Sequence, residues 1–159
     1  MTTTTLDAAL PEALERAQDE ARAQGLSYAG DVDPPQAWAL AHAGQAVLVD
    51  VRSAEEHHFV GHVPGSLLVP WATGMALTRN PRFVQELEAE LAGYGGRDAA
   101  VLLLCRSGKR SVFAAQAATA AGFRHAFNVT EGFEGEIDAH RQRGGQDGWR
   151  LHGLPWVQN

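Results

Sequence analysis

The chain has 159 residues, 45% of them hydrophobic, with 13 Lys and Arg against 19 Asp and Glu, a formal net charge of −6. One domain of this size buries roughly two-thirds of its unfolded surface without needing a disulfide or metal, and the acidic balance argues against general nucleic-acid or acidic-membrane binding. A single cysteine, Cys105, excludes an internal disulfide framework, a cysteine-rich zinc site and an iron–sulfur cluster; with no leader pattern in Met1 to Asp7 and no apolar run approaching the roughly 20 residues of a membrane span, a soluble, reducing, cytoplasmic setting is expected.

In chain order, residues 6–24 carry Leu6, Leu10 and Leu14 at four-residue spacing and end at Gly25, the pattern of an amphipathic helix with a C-terminal stop. It is expected as an accessory arm, residues 1–25, ahead of a domain spanning 26–159. Asp33-Pro34-Pro35 supplies a capping carboxylate and an early proline for a helix closing near Gly44. Ala46 to Val51 is a continuous apolar run broken only by Asp50, as in a parallel strand covered on both faces. Ser66 to Val69 is a second strand, stopped by Pro70, which cannot donate to a ladder.

Residues 81–92 read as helix, Ala99 to Leu104 as the most apolar strand, and Lys109 to Ala121 as an alanine-rich helix ended by Gly122. His125 to Val129 is the last strand. Strands alternating with helices at this spacing predict an α/β domain, with a mainly parallel sheet of about five strands, helices on both faces and ligands beyond the strands' carboxyl ends.

Cys105 falls at the carboxyl end of the most apolar strand, immediately before Arg106-Ser107-Gly108-Lys109-Arg110 and a helix start. A turn of this kind points backbone N–H groups inward, and the helix N-terminus adds partial positive charge. Arg106, Lys109 and Arg110 add formal charge. Such surroundings favour a thiolate over a thiol, so a nucleophilic sulfur is expected rather than an apolar filler.

Cys105 to Arg110 resembles the active-site loop of the rhodanese-type sulfurtransferases, in which the cysteine carries a persulfide. Four further stretches agree: Asp50-Val51-Arg52; Gly61-His62-Val63-Pro64-Gly65-Ser66; Asn128-Val129-Thr130-Glu131-Gly132-Phe133; and the tail Gly148-Trp149 with Gly153-Leu154-Pro155-Trp156. Three departures stand out: Glu131 replaces the first glycine of a common Gly-Gly pair, residues 72–79 look like a longer connection, and the helix at 6–24 is extra. Each bears on the pocket mouth and hence on substrate identity.

The resemblance implies a rhodanese-like fold and a ping-pong sulfur transfer. Cys105 takes a sulfane sulfur from a donor such as thiosulfate, and a thiophile removes it: cyanide in vitro, a thiol or protein in the cell. No cofactor beyond the covalent persulfide, no metal, no nucleic acid and no membrane is implied. Loop amides from Arg106 through Ser107, Gly108 and Lys109 to Arg110 would cradle the sulfur. Lys109 and Arg106 would attract the donor, and Arg110 would turn inward to Asp50. Asp50, Arg52 and His62 are expected as supporting residues, with Trp71 and Phe133 at the pocket mouth or in the core.

His57 and His58 with Glu55 and Glu56 form a polar cluster, but adjacent histidines on a helical turn point apart, so a metal site is not expected. Two other functions use related sites. Cysteine phosphatases and arsenate reductases place Arg six positions after Cys, whereas Ser111 stands there and Arg110 comes one early, a shorter loop better suited to one sulfur than to phosphate. A module that receives or presents sulfur to a protein partner would keep the same cysteine.

Overall fold

The computed structural model describes residues 10–159. Leu6 and the first turns of the expected N-terminal helix lie outside the described residues. Helix α1, Glu12–Gln24, follows Pro11 and ends at Gly25, whose left-handed conformation (φ 70°) returns its N–H to the carbonyls of Ala21 and Arg22. Leu14, Ala17 and Ala21 are buried. They pack on β1, Gly30–Val32, a three-residue strand that carries no periodic signal in the sequence. The approach is so close that a Cβ at Gly30 would lie 2.6 Å from the Ala17 carbonyl oxygen. The expected accessory arm is therefore part of the core in its described portion.

Helix α2, Pro34–His42, opens with a reciprocal cap. Gln36 N donates to Asp33 Oδ1 at 2.9 Å, and Asp33 N donates to Gln36 Oε1 at 3.1 Å. Strand β2 is Val47–Asp50, β3 is Leu67–Leu68, and a short antiparallel hairpin joins β4, Ala72–Thr73, to β5, Thr78–Arg79. Then come α3, Phe83–Leu91; β6, Ala100–Leu104; α4, Arg110–Ala120; and β7, His125–Val129. The main sheet has the order β1-β7-β6-β2-β3, and every pairing in it is parallel.

Side chains alternate across the sheet because the strand period is two. On β6, Val101 and Leu103, with Cys105 just beyond it, join the core under α3 and α4, while Leu102 and Leu104 join the core under α1 and α2. Both faces being covered explains why these strands read as unbroken apolar runs. It also leaves the carboxyl ends of β2 and β6, side by side with Asp50 registered on Leu104, as the edge where polar groups gather. Among the described residues, no helix is long and apolar enough to cross a membrane.

Leu14 is fully buried. Truncating it removes packed apolar volume from the main core, so Leu14→Ala should cost about 2–5 kcal/mol in denaturant-induced unfolding. A helix lying outside the cooperative core would give a change within about 0.5 kcal/mol.

Candidate active site

Cys105 follows the last residue of β6, with its side chain buried. Gly108 N–H donates to its Sγ at 3.1 Å, from a turn in which Gly108 has φ 95°. The loop's carbonyls face the other way. Phe133 N donates to Cys105 O at 2.7 Å, and the N–H groups of Glu134 and Gly135 donate to Arg106 O at 2.9 and 3.1 Å. A trans peptide points its N–H opposite its C=O, so this pairing turns the amides of Arg106 and Ser107 away from the 133–135 turn. Gly132, at φ 71°, lets the turn come this close, since a Cβ there would collide with the backbone of Arg106 and Ser107.

Behind the sulfur runs a hydrogen-bonded chain that the sequence reading did not identify. Ser111 Oγ lies 3.1 Å from Cys105 Sγ and donates to Asn128 Oδ1 at 2.5 Å. Asn128 Nδ2 donates to Asp31 Oδ1 at 3.0 Å, and the Tyr28 hydroxyl donates to the same oxygen at 2.9 Å. Burial, followed by the hydrogen bond and charge of Asp31, pushes the Tyr28 hydroxyl up to about 12, so it remains a donor. The Asp31 carboxylate accepts from Asn128 and thereby orients its amide, whose oxygen is left for Ser111. Ser111 and Asn128 are both buried, and an asparagine inside the apolar β7 run is the sequence signal that could have found this position.

Asp50 and Arg52 form a closed unit at the end of β2. Arg52 Nε donates to Asp50 Oδ1 at 3.0 Å, and its Nη2 donates to Oδ2 at 2.7 Å and to Gly61 O at 2.6 Å. His57 Nδ1 donates to Asp50 Oδ2 at 2.8 Å. Burial alone would raise the Asp50 carboxyl, but the hydrogen bonds from His57 and Arg52 and the Arg52 charge outweigh it and hold it below the ordinary carboxylate value. The Arg52 guanidinium also lies over the Phe133 ring, 4.4 Å from its centroid. His62 stacks on His57 at 4.1 Å and donates from Nδ1 to His57 O at 3.1 Å, while its backbone pairs with Val157.

Arg110 does not pair with Asp50 as the sequence predicts. Its Nη1 and Nη2 donate to Glu56 Oε1 and Oε2, both at 2.8 Å. Arg52, only two residues from Asp50, already occupies that carboxylate. Glu56 begins a single π-helical turn, Glu56–Val60, and accepts from Ser53 N and Oγ. Burial opposes both charges, yet their pairing lowers Glu56 below, and raises Arg110 above, their ordinary values. Lys109 also departs from expectation, because it reaches out to Glu136 at 3.7 Å with 77% of its side chain exposed.

A cleft of about 460 Å3 opens beside the loop, with Arg106, Arg110 and Arg143 on its wall. Trp71 and Phe133 do not line it. Phe133 is fully buried beneath Arg52, and Trp71 packs edge-on against Phe83, 5.1 Å between centroids, under the Arg79 guanidinium. Glu131 adopts the left-handed conformation (φ 68°) that a glycine would otherwise supply. Its carboxylate accepts from Gly148 N at 3.0 Å and from His152 Nε2 at 2.9 Å, which fastens the tail to the site.

The chain is similar to one family model and to three known proteins. A model of the rhodanese-like domain matches residues 33–137. The crystal structure of Rv0390 from M. tuberculosis is similar with a TM-score of 0.70 and 46% identity, covering 83% of this chain and 99% of that one. Uncharacterized protein RP600 of Rickettsia prowazekii is 34% identical over 116 residues, which are 70% of this chain and 82% of its own. A thiosulfate sulfurtransferase from Pseudomonas aeruginosa shares the fold, with a TM-score of 0.57 and 20% identity, over 90% of this chain and 22% of that one.

The Glu56–Arg110 pair ties the π turn to the loop across 54 residues of sequence. Glu56→Gln should destabilise the protein at neutral pH by about 1.5–3 kcal/mol, the range of a charge-assisted hydrogen bond. Because the native carboxyl is depressed, its contribution is complete above the ordinary value of 4.5 and is lost as pH falls through the lower native value. The melting-temperature gap between wild type and variant should therefore narrow below about pH 4.5. A gap that stays constant into acid would show that the pair's charge adds nothing.

Proposed function

Because the chain belongs to the rhodanese-like domain family, we propose that it is a sulfurtransferase whose Cys105 carries the transferred sulfur. The Cys105 thiolate attacks the outer sulfur of a donor such as thiosulfate, the donor's S–S bond breaks, and sulfite departs with the electron pair. A thiophile then attacks the outer sulfur of the resulting persulfide and returns Cys105 to the thiolate. The observation that carries this reading is the Gly108 N–H donating to Sγ at 3.1 Å. The neighbouring amides of Arg106 and Ser107 face away from the 133–135 turn and are free for the outer sulfur.

The chain needs no cofactor for these steps, since both are nucleophilic displacements at sulfur. Arg106, on the wall of the cleft, supplies the cation nearest the nucleophile in sequence, and Lys109 contributes charge at longer range from its exposed position. Arg110 fixes the loop through Glu56. That engagement weighs against phosphoryl transfer, because a phosphatase arginine must offer the same two nitrogens to the phosphate. Delivery of the sulfur to a protein thiol, with no free-standing turnover on small molecules, would use the same cysteine and loop.

Thiosulfate treatment of the reduced protein should add one sulfur atom to Cys105 by intact-mass spectrometry, and cyanide should remove it as thiocyanate. Cys105→Ser should take up no sulfur and should transfer none above the uncatalysed background. The proposal fails if the wild type forms no adduct with thiosulfate, or if the serine variant transfers sulfur as fast.

A further inference from the structure

The cleft is larger than a small inorganic donor requires. Its volume of about 460 Å3 falls within the roughly 300–1,000 Å3 typical of sites for organic ligands. One wall is apolar. The β4–β5 hairpin places Met75 and Leu77 there, with Val60 from the π turn. Met75 is fully exposed and Leu77 is 43% exposed. Leu77 is also at φ 51°, a left-handed conformation unfavourable to a branched side chain. These two large apolar side chains, open to water on a cleft wall, offer a surface on which the carbon chain of a ligand can lie.

The other wall is cationic. Arg110 is neutralised by Glu56, and Glu134 by Arg150 at 3.8 Å. Arg106 and Arg143 are left without a carboxylate partner among the described residues, and the one other acid on the wall, Glu55, is exposed to solvent. The buried Nε of Arg106 has no hydrogen-bond partner. Arg143 spends a single N–H, donating to Gly135 O at 2.8 Å, and keeps its remaining donors free. Its loop is pinned: Glu136 N donates to Asp147 Oδ1 at 2.7 Å, and the fully buried Trp149 anchors the far end. Arg143 lies beyond residue 137, where the match to the family model stops.

We propose that this cleft is the acceptor site and that it selects an organic thiol bearing a carboxylate. The carboxylate is held by Arg143 with Arg106, and the carbon chain lies on Met75 and Leu77. This assignment rests on the sulfur-transfer reading of Cys105. In the acceptor step, the organic thiol loses its proton to solvent and its sulfur bonds to the outer persulfide sulfur. The S–S bond to Cys105 breaks, and its electron pair returns to Sγ. The product is an organic persulfide, and no external oxidant or reductant is consumed. A cleft of this volume matches a small organic thiol rather than a protein surface.

The test uses the full-length protein loaded from thiosulfate, freed of donor and discharged in a single turnover read by mass spectrometry. The probes are 6-mercaptohexanoate and 6-mercaptohexanol, whose thiols are far enough from the end group to ionise alike, with 2-mercaptoethanol as a short reference. The wild type should discharge to the carboxylate about 10-fold faster than to the alcohol, the scale of one charge-assisted contact. In Arg143→Gln that ratio should fall toward 1. In Leu77→Ser both six-carbon thiols should slow relative to 2-mercaptoethanol.

Equal wild-type rates for the two long thiols would overturn the assignment, as would an Arg143→Gln ratio equal to that of the wild type. A cysteine-containing protein that discharges Cys105 faster than any small thiol would overturn it too, in favour of a macromolecular acceptor. Failure of thiosulfate to load Cys105 at all would reject the parent reading and this one together. Loading followed by unselective discharge removes the acceptor assignment alone.

Discussion

The contact between the 130–135 turn and the Cys105 loop is the constraint on which the site depends. A loop of backbone becomes an anion receptor only if its carbonyls are satisfied elsewhere, because each peptide unit carries a donor and an acceptor on opposite sides. Here Phe133, Glu134 and Gly135 take the carbonyls of Cys105 and Arg106. This is possible because Gly132 has no side chain to hold the two backbones apart. The sheet supplies the rest: β7 delivers the turn and β6 delivers the cysteine, and the two strands are hydrogen-bonded neighbours. Sheet order, glycine placement and the direction of the loop amides thus follow from one packing problem.

Around that contact stand two ion pairs with different jobs. Asp50 and Arg52 are fully buried, with additional bonds to His57 and to Gly61 O. Burying such a pair gains little net stability, but removing one partner leaves a charge stranded in a medium of low polarity. The pair therefore acts as a fixed joint between the end of β2 and the segment leading to Gly61. Glu56 and Arg110 sit nearer the solvent and link the π turn to the first residue of α4. The π turn begins at Glu56 and continues through His57, and these adjacent residues address different cations or acids of the site.

Much of this architecture was legible in the sequence, for a physical reason. Strands buried on both faces must be apolar at successive positions, so β2 and β6 announce themselves, and the cysteine followed by a cationic, glycine-containing turn marks the end of the sheet where the candidate site lies. What escaped were features that no local pattern encodes. β1 is three residues long and contains a glycine. The partner of Arg110 lies 54 residues away, and Asp50 looked available only because the fork of Arg52 cannot be seen folding back over two residues. Lys109 and Arg110 are adjacent in sequence, but the start of α4 turns one outward and the other toward Glu56. Phe133 belongs to the core because the glycine before it presses the turn inward. Asn128 could have been found as a polar residue set into an otherwise apolar strand.

The chain's one cysteine, Cys105, is 1% exposed. A disulfide requires its two sulfur atoms to approach to about 2.05 Å with a fixed torsion. Two copies of the protein, each with its Cys105 sulfur buried, cannot meet that geometry while folded. Collisions between copies therefore leave the thiols intact. The recess selects by size: whatever meets the sulfur must be slender enough to enter it, and an identical folded neighbour is not. The protein can be crowded to high concentration without cross-linking itself, a form of self-protection built from shape alone.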